Sequence, residues 1–514
     1  MKKMIYYIAL AFLWGGCSNY LDDYSQDLVV AKTVTHLDEV MLGSGYLPTY
    51  ELKEIVSGPV CWWLHVLDDD INTVIHFNAG ARSNWMDGSI FGYTTWQQEV
   101  GQNYKKTGTA DDGGTWSTLY QHINSVNIVL AELDEVSQKN EQDRLDALRI
   151  KGECHFLRAQ FYLLLSNLYA NAYNPADAAT KLGVPVKLTN YVEHDKDKES
   201  QFDRGTVANV YDQMVKDLKA SVDYFTQSPQ KKPYYRASKE AALLLLSRVY
   251  LYRQEWANAK QAASDFLTLK NGLRNFANIP DGDIAISEES PEIIFSQGSL
   301  NVQNAFSGDG GDLCISGDLY QMYDTMDYRR SLYFAKSVNS DSIGLARKYR
   351  MGTRRSKISD IFLLRTAEGY LNMAEACAML DEDPSDWINQ LRRMRIKDYK
   401  DVTLGSNAIE QVRAERRKEL CLEGHRWFDL RRYAVCQKAP FKKVIDRTYA
   451  LYNIDNKNLF LHAEIFRLEM DDPAYTFAIP KAVLKFDKDM PDNDREKREY
   501  TRQVFVDFNS ETQN

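Results

Sequence analysis

Apolar residues recur at helical spacing along most of the chain, and this periodicity restricts the possible folds more than any other feature. Within residues 116–136, Leu119, Ile123 and Val126 lie three or four positions apart, which places them on one face of an α-helix. The same spacing predicts further helices at 144–170, 207–225, 238–254, 256–269, 361–380, 384–397 and 407–432. The stretches between them, 36–115, 171–205, 270–360 and 438–506, lack this periodicity. We therefore expect a mostly α-helical scaffold that carries long loops, and such loops usually carry the function.

Three of the predicted helices share a spacing that is typical of tetratricopeptide helix pairs. A large residue is followed three positions later by a second large residue, then by a small one, and seven positions later by Tyr or an equivalent. The copies are Tyr162, Leu165, Ser166 and Tyr169; Leu243, Leu246, Ser247 and Tyr250; and, more weakly, Tyr370, Met373, Ala374 and Cys377. Because the copies are unevenly spaced, they predict imperfect helix pairs interrupted by insertions. We expect one large domain whose helix-pair scaffold covers about 116–270 and 361–432.

The amino terminus has the pattern of a secreted lipoprotein. Lys2 and Lys3 precede an apolar run at residues 4–14 that is too short to span a bilayer, and two glycines lead to Cys17. This pattern predicts a signal peptide at 1–16 and a thioether-linked lipid on Cys17. Trp14 stands where such signals usually carry Leu, so ordinary cleavage before a free Cys17 is the alternative. Polar and acidic residues then predict a solvated tether at 17–35.

Charge and cysteine content argue against two classes of protein. The net charge of −9 disfavours nucleic acid as a partner. Beyond Cys17, none of the cysteines forms a CxxC pair, so a disulfide framework is not expected in a chain of this size. Cys154, Cys377 and Cys421 lie in helical patterns and are predicted to be small buried residues.

Residues 415–433, ERRKELCLEGHRWFDLRRY, combine charged and aromatic side chains that would suit either an active site or a set of structural ion pairs. The charged residues recur at helical spacing on both sides of Gly424, which can end one helix and let another begin. His425 has no second His or Cys at metal-ligand spacing, and the chain contains no HExxH, Walker or GxSxG motif. We therefore predict no catalytic residue, no metal site and no cofactor, and we assign a structural role to Glu415, Arg416, Glu419, Glu423, Gly424, Arg426, Trp427 and Asp429.

This motif, preceded by LLRTAEGYLNMAEACAML at 363–380, resembles the carboxy-terminal signature of the SusD/RagB family, the outer-membrane nutrient-binding lipoproteins of Bacteroidetes-type bacteria. Other stretches match in kind and order: WSTLYQHINSVNIVL at 116–130, LRIKGECHFLRAQFYLLL at 148–165, PEIIFS at 291–296 and YTFAIP at 475–480. The resemblance covers roughly 17–485, and residues 485–514 depart from the usual short family ending. It implies a SusD-like fold over 36–514 and a binding protein instead of an enzyme. It also implies a lipid-anchored position on the outside of the outer membrane, over a SusC-like TonB-dependent barrel.

Two loop regions, at about 60–115 and 296–330, carry side chains that suit a sugar, and the family takes its glycan contacts from loops in about these places. Sugar rings present apolar faces that pack on aromatic rings, and hydroxyls that pair with amides and carboxylates. The candidate glycan-binding residues are Trp62, Trp63, Trp85, Asp87, Tyr93, Trp96, Asn304 and Phe306. The alternative for each tryptophan is a satellite core position beneath a loop.

One stretch within these loops partly matches a calcium-binding pattern. Asp68, Asp70 and Asn72 follow the start of an EF-type loop. Thr73 replaces the glycine that the loop requires, and Ala79 stands where the bidentate Glu belongs. We therefore predict no calcium site there.

The sequence favours a lipoprotein that captures oligosaccharide or polysaccharide without changing it and passes it to a barrel partner. Two alternatives remain open. A protein of the same fold could bind a peptide or another non-sugar nutrient, because the resemblance does not distinguish ligand classes. A helical scaffold that holds protein partners would need a continuous groove, and the long loops argue against one.

Overall fold

The computed structural model of the chain describes residues 32–48, 60–73, 90–107, 113–191, 202–232, 234–280, 282–300, 313–336, 343–344, 347–351, 354–452 and 460–505. The predicted signal peptide, the predicted lipidation site Cys17 and most of the predicted tether lie outside these residues. Within the described ranges, every helix is too short or too polar to cross a membrane.

Helices form the body of the protein, and their first turns follow local capping signals. The side chain of Asn140 accepts a hydrogen bond from the backbone N–H of Asp143 at the start of a 29-residue helix, and Ser238 caps a later helix in the same way. Thr206 and Asn209 form a reciprocal capping box. The α-helices are α1 Val34–Val40, α2 Ile90–Thr94, α3 Gly113–Glu135, α4 Glu141–Tyr169, α5 Val207–Gln227, α6 Lys239–Arg253, α7 Trp256–Leu269, α8 Gly317–Gln321, α9 Arg329–Tyr333, α10 Thr366–Met379, α11 Ser385–Arg393, α12 Ala408–Leu420, α13 Arg426–Ala434 and α14 Lys481–Phe486.

The long helices stack in chain order. Each of α3 to α6 packs against the helix that follows it, α10 packs on α7, and α11 and α12 pack on α10. Gln254 adopts a left-handed φ of 62°, which lets α6 turn directly into α7. Gly369 permits the close contact of α10 with α7, because a Cβ at this position would lie 2.4 Å from the ring of Phe266. This stack confirms the prediction of a mostly α-helical scaffold built from helix pairs.

The residues of the repeated spacing lie in the core. The large side chains at those positions are all buried: Tyr162, Leu165 and Tyr169 on α4, Leu243, Leu246 and Tyr250 on α6, and Tyr370, Met373 and Cys377 on α10. Ala259 and Ala263 on α7 are fully buried, and small residues there let neighbouring helices approach closely. The spacing therefore marks the surfaces through which one helix packs on the next.

Short antiparallel strands join the long loops. The strands are β1 Ile71–Thr73, β2 Ile293–Ser296, β3 Leu313–Ile315, β4 Ala335–Lys336, β5 Ile343–Gly344, β6 Arg350–Met351, β7 Arg354–Arg355, β8 Leu363–Arg365, β9 Ile445–Tyr452, β10 Phe460–Leu468 and β11 Arg502–Val504. Among the described residues, β1 pairs with β3, β2 with β8, β4 with β5 and β6 with β7, and a three-stranded sheet has the order β11-β10-β9.

Several predictions of secondary structure are wrong, since the stretches 36–115 and 270–360, predicted to be irregular, contain α2, α8, α9 and the strands β1 to β7. The apolar pattern predicts a helix from residue 361, but residues 363–365 form β8 and α10 begins at Thr366. All three residues of β8 are buried, and a short buried apolar run does not distinguish a strand from a helix. The stretch 438–506, predicted to be irregular, contains the β9–β10 hairpin. Much of both strands is buried on both faces, so the alternating pattern that announces a half-exposed strand is absent.

Candidate functional site

The two candidate loop regions meet at one short β-ladder. β1 and β3 are antiparallel, and Thr73 lies opposite Leu313. The chain therefore leaves β1 toward residue 74 and enters β3 from residue 312 at the same end of the ladder. Thr73, which precedes segment 74–89, and Leu313, which follows segment 301–312, are therefore neighbours, but the two segments lie outside the described residues, together with the candidates Trp85, Asp87, Asn304 and Phe306.

Among the described aromatic candidates, Trp62, Trp63 and Tyr93 contact one another through their rings. Trp63, Tyr93 and Trp96 are almost fully buried, at 2%, 3% and 1% exposure. The rings of Trp63 and Tyr93 stack with centroids 4.7 Å apart, and Phe477 lies 4.9 Å from Trp63. These buried rings present no face to solvent in this conformation, which fits the satellite-core alternative. Trp62 is half-buried and meets Tyr93 edge-on at 6.0 Å, so among the described aromatic candidates it remains accessible to a ligand.

A run of buried carboxylates, Asp68, Asp69 and Asp70, directly precedes β1. Their oxygens lie within 4.8 Å of one another, a spacing that a metal ion would accept. However, Arg426 donates to both oxygens of Asp69 at 2.6 and 2.9 Å, and Arg417 donates to Asp70 at 2.7 Å. Burial alone would raise the pKa of Asp69, but Arg426 and Arg417 hold it well below its usual range. The arrangement fits a set of ion pairs better than the oxygen cage that calcium requires.

Glu419 lies at the centre of a buried ion-pair network within the 415–433 motif. Its carboxylate is fully buried and accepts hydrogen bonds from Arg329 at 2.9 Å, Arg365 at 2.6 Å and Arg395 at 2.8 Å. Arg365 also donates to Glu423 at 2.8 Å. The three arginines come from α9, β8 and the segment after α11, so one carboxylate on α12 joins three separate parts of the chain.

The second half of the motif extends this network. Gly424 has a φ of 70° and separates α12 from α13, as the sequence predicts. Asp429 accepts hydrogen bonds from Arg416 at 2.9 Å and from Arg432 at 2.7 Å. Trp427 is fully buried and stacks on Tyr475 with centroids 4.8 Å apart. Because Arg426 of the same motif holds Asp69, the network also fixes the segment that leads into β1.

The surroundings of His425 do not suit a general acid or base. Burial lowers its pKa well below the usual range, and the nearby guanidiniums of Arg248 and Arg416 lower it further. The ring is therefore neutral at ordinary pH, and its Nδ1 lies 3.2 Å from the Arg416 guanidinium, which donates to it. A buried, neutral imidazole that accepts from an arginine is a structural group.

Two surface cavities lie beside α12 and α13. The larger, of about 570 Å³, is lined by Arg413, Arg417 and Phe441 among others, and the smaller, of about 380 Å³, by Arg431 and Tyr475 among others. No tryptophan is found among the described residues that line them. Within the described part of the chain, neither lining therefore includes any of the candidate glycan-binding residues that the sequence predicts.

Family comparisons cover most of this architecture. Residues 67–251 match a family model described as starch-binding and associating with the outer membrane. Residues 186–495, more than half of the chain, match the model of the SusD family. The chain belongs to the SusD family. The resemblance drawn from the 415–433 motif is thereby confirmed, and the motif lies inside the matched range.

Relatives and solved structures agree with membership of the SusD family. SusD-like protein P25 of Formosa agariphila is 20% identical over 336 residues, which span 65% of this chain but only 58% of that relative. A SusD-like carbohydrate binding protein from Bacteroides vulgatus superposes with a TM-score of 0.65 at 20% identity, covering 92% of this chain and 100% of that one. Surface glycan-binding protein A from Bacteroides uniformis gives a TM-score of 0.61 at 19% identity, covering 90% and 99%. At these identities the superpositions establish the SusD-like fold.

Two contributors to the SusD-family loop region have no clear signal in the sequence. Phe477 packs against Trp63. In the sequence, Phe477 stands out only as part of the YTFAIP stretch that resembles the family, and nothing there indicates this contact. Asp69 is held by Arg426, which lies 357 positions away in the chain. From the sequence, the acidic run shows only a partial calcium-binding pattern. Its arginine partners are too distant in the chain to be recognised.

Acid should destabilise this protein, because the buried carboxylates of the SusD motif are held ionised. Burial alone would raise the pKa of Glu419, but Arg395, Arg365 and Arg329 hold it well below the usual range, and Arg416 and Arg432 lower that of Asp429 in the same way. A carboxylate whose pKa is lower in the folded state stabilises the fold above its unfolded pKa of about 4, and this contribution is lost as the pH falls further. Asp68 and Asp70 have raised pKa values and act in the opposite direction, but the buried carboxylates with lowered pKa values outnumber them.

We expect the urea midpoint of unfolding to decline slightly below about pH 6.5, because buried His425 stays neutral in the folded chain but takes up a proton in the unfolded one, and to fall more steeply below about pH 4. The measurement is a series of urea titrations followed by circular dichroism across this range. A midpoint that stays constant down to about pH 3 would contradict the ionised network.

Proposed function

We propose that this protein is a surface lipoprotein of the outer membrane that binds oligosaccharide or polysaccharide and delivers it to a SusC-like TonB-dependent transporter. The observation that carries the proposal is the β1–β3 ladder, which brings the chain ends of both candidate glycan loops to one place. The loops rise from a rigid helical scaffold, and sites placed on such a support are largely preformed.

Sugar is the ligand class that the residues at this place suit best. Half-buried Trp62 precedes β1 in the first loop region, and the segments that adjoin β1 and β3 carry Trp85, Asp87, Asn304 and Phe306. Aromatic faces stack on sugar rings, and amide and carboxylate groups pair with hydroxyls. The names of the related structures, a carbohydrate binding protein and a surface glycan-binding protein, support the same ligand class.

The burial of the charged residues in the 415–433 motif favours a protein that binds its ligand without reacting with it. The acidic and basic residues of the 415–433 motif are buried and paired with one another, so they are not available to a substrate. We therefore assign this protein no enzymatic activity. Modest affinity through stacking suits a protein that must release its ligand to a transporter.

Anchoring and delivery rest on the amino-terminal sequence and on the family. A lipid on Cys17 would hold the protein in the membrane, and the tether at 17–35 would let the domain at 36–514 move as a lid over the barrel. A hinge motion of the whole domain would then expose the bound glycan to the transporter.

A ligand screen tests this function. The soluble protein, starting after Cys17, is run on native gels that contain plant, host or microbial polysaccharides, with peptide libraries tested by calorimetry alongside. We expect at least one glycan class to retard the protein, and no heat from peptides. Heat from peptides with no retardation by any glycan would instead favour a peptide-binding protein of the same fold. A protein that binds neither class but captures other proteins would favour the scaffold alternative.

A further inference from the structure

The carboxy-terminal segment, residues 491–504, makes specific contacts with the loop that carries Tyr93 and Trp96. The match to the SusD family model ends at residue 495, within this segment, and residues 496–504 lie beyond it. We call residues 491–504 the carboxy-terminal strap. Three of its hydrogen bonds reach the turn at 95–98 in this loop, at residues 96–98.

Arg495 forms the centre of the strap. Its side chain is buried, at 6% exposure, and it donates to the carbonyls of Ala474 at 2.8 Å, Thr476 at 3.0 Å and Gln97 at 2.9 Å. In return, the side chain of Gln98 donates to the carbonyl of Arg495 at 2.7 Å. One arginine thus joins the turn at 95–98 to the segment that precedes α14.

Arg498 holds the same turn one residue earlier. Its guanidinium donates to both oxygens of Asp472 at 2.7 and 2.8 Å, and its Nε donates to the carbonyl of Trp96 at 3.3 Å. Asp472 also caps the backbone N–H of Ala474 at 2.9 Å. The pair places a fixed positive group against the carbonyl of Trp96.

The strap itself is fixed at both ends. At its start, Asn493 donates to the carbonyls of Tyr169 and Phe477, both at 2.7 Å, and accepts from Arg204 at 3.0 Å. At its end, β11 pairs with β10 as the outer strand of the sheet. A segment held at both ends can restrain what its middle contacts.

The turn that the strap holds needs such a restraint. Trp96 has a φ of 53°, in the left-handed region that bulky residues rarely adopt. Conformations of this kind persist only where the surroundings over-determine them, and they cluster at ligand sites. Further support comes from Trp96 itself, whose Nε1 donates to the carbonyl of Leu67 at 2.8 Å, close to β1.

We propose that the carboxy-terminal strap positions the turn at 95–98, and through it the 90–107 loop, for ligand binding, with Arg495 and Arg498 as its positioning residues. The proposal rests on the proposed function, because it assigns the strap a purpose at the glycan loops. Positioning by the strap would explain why its two arginines, one at the last residue of the family match and one beyond it, both bind this turn.

The test compares full-length soluble protein with the double variant Arg495→Met and Arg498→Met. The control is Arg502→Met, since Arg502 is exposed on β11 in the same segment. Without ligand, we expect the amide hydrogens of Thr95, Trp96 and Gln97 to exchange about tenfold faster or more in the double variant. Amides of α4 to α7 should keep their protection, and the control should match wild type throughout.

Glycan affinity is the second readout, and we expect the dissociation constant to rise about tenfold or more in the double variant only. Unchanged exchange at residues 95–97 would contradict the claim that the strap holds the turn. Faster exchange with unchanged glycan affinity would contradict the claim that the strap positions the turn for ligand binding. If wild type binds no glycan, the proposed function fails, and the exchange experiment alone decides whether the strap holds the turn. If the double variant unfolds, the single change Arg498→Met carries the test, because Arg498 is more exposed, at 13%.

Discussion

The substitution Glu419→Gln should lower the free energy of unfolding by about 3–5 kcal/mol, one of the largest effects of a single change in this protein. The new side chain has nearly the same size, so the expected loss comes from charge and not from packing. Three guanidiniums, those of Arg329, Arg365 and Arg395, would remain buried around a neutral amide. A buried ion pair adds little net stability when it is complete, but removing one partner leaves buried positive charge that the other carboxylates of the network balance only in part.

Urea unfolding followed by circular dichroism measures this effect, and Glu410→Gln is the matched control. Glu410 lies on the same helix, α12, but is exposed, so its substitution should change stability by less than about 0.5 kcal/mol. The loss of stability below about pH 4 should also become smaller in Glu419→Gln, because one carboxylate with a lowered pKa is gone. Equal unfolding midpoints for the two variants would show that the network around Glu419 is not held together by its charge.

Helical periodicity made the scaffold predictable from the sequence. The ion pairs between its helices could not be predicted in the same way. The apolar spacing of 256–269 predicts α7 with its observed bounds, because an amphipathic helix announces its buried face locally. The charged residues of the 415–433 motif could be assigned to ion pairs for the same reason. Their partners could not be named, since Arg329 lies 90 positions and Arg365 54 positions from Glu419.

The candidate site was less predictable, because a loop has no period from which burial can be inferred. Trp62 and Trp63 are adjacent in the sequence and chemically identical, yet one is half-buried and the other stacks within a core cluster. The difference arises from Tyr93 and Phe477, which come from distant parts of the chain. Composition therefore identified the region of interest but not which of its rings face a ligand.

The substitution Trp85→Ala should weaken glycan binding about tenfold or more. Trp85 is predicted to stack on a sugar ring, and it belongs to the segment that follows Thr73, the residue of β1 opposite Leu313 in β3. Aromatic anchors at the centre of a binding site commonly cost about 2 kcal/mol or more when truncated, and about 1.4 kcal/mol corresponds to a tenfold change in affinity. The matched control is Trp256→Ala, which makes the same chemical change at a half-buried position on α7 of the scaffold.

The central claim is that the loop regions that meet at the β1–β3 ladder hold the ligand. Its most direct test is calorimetric titration with the glycan that the screen identifies. The proteins compared are wild type, Trp85→Ala and Trp256→Ala. We predict that Trp256→Ala binds like wild type and that Trp85→Ala loses most of its affinity, while both variants keep the helical circular dichroism spectrum of the native protein. Undiminished binding by Trp85→Ala, together with weaker binding by Trp256→Ala, would place the ligand on the helical scaffold and contradict this account.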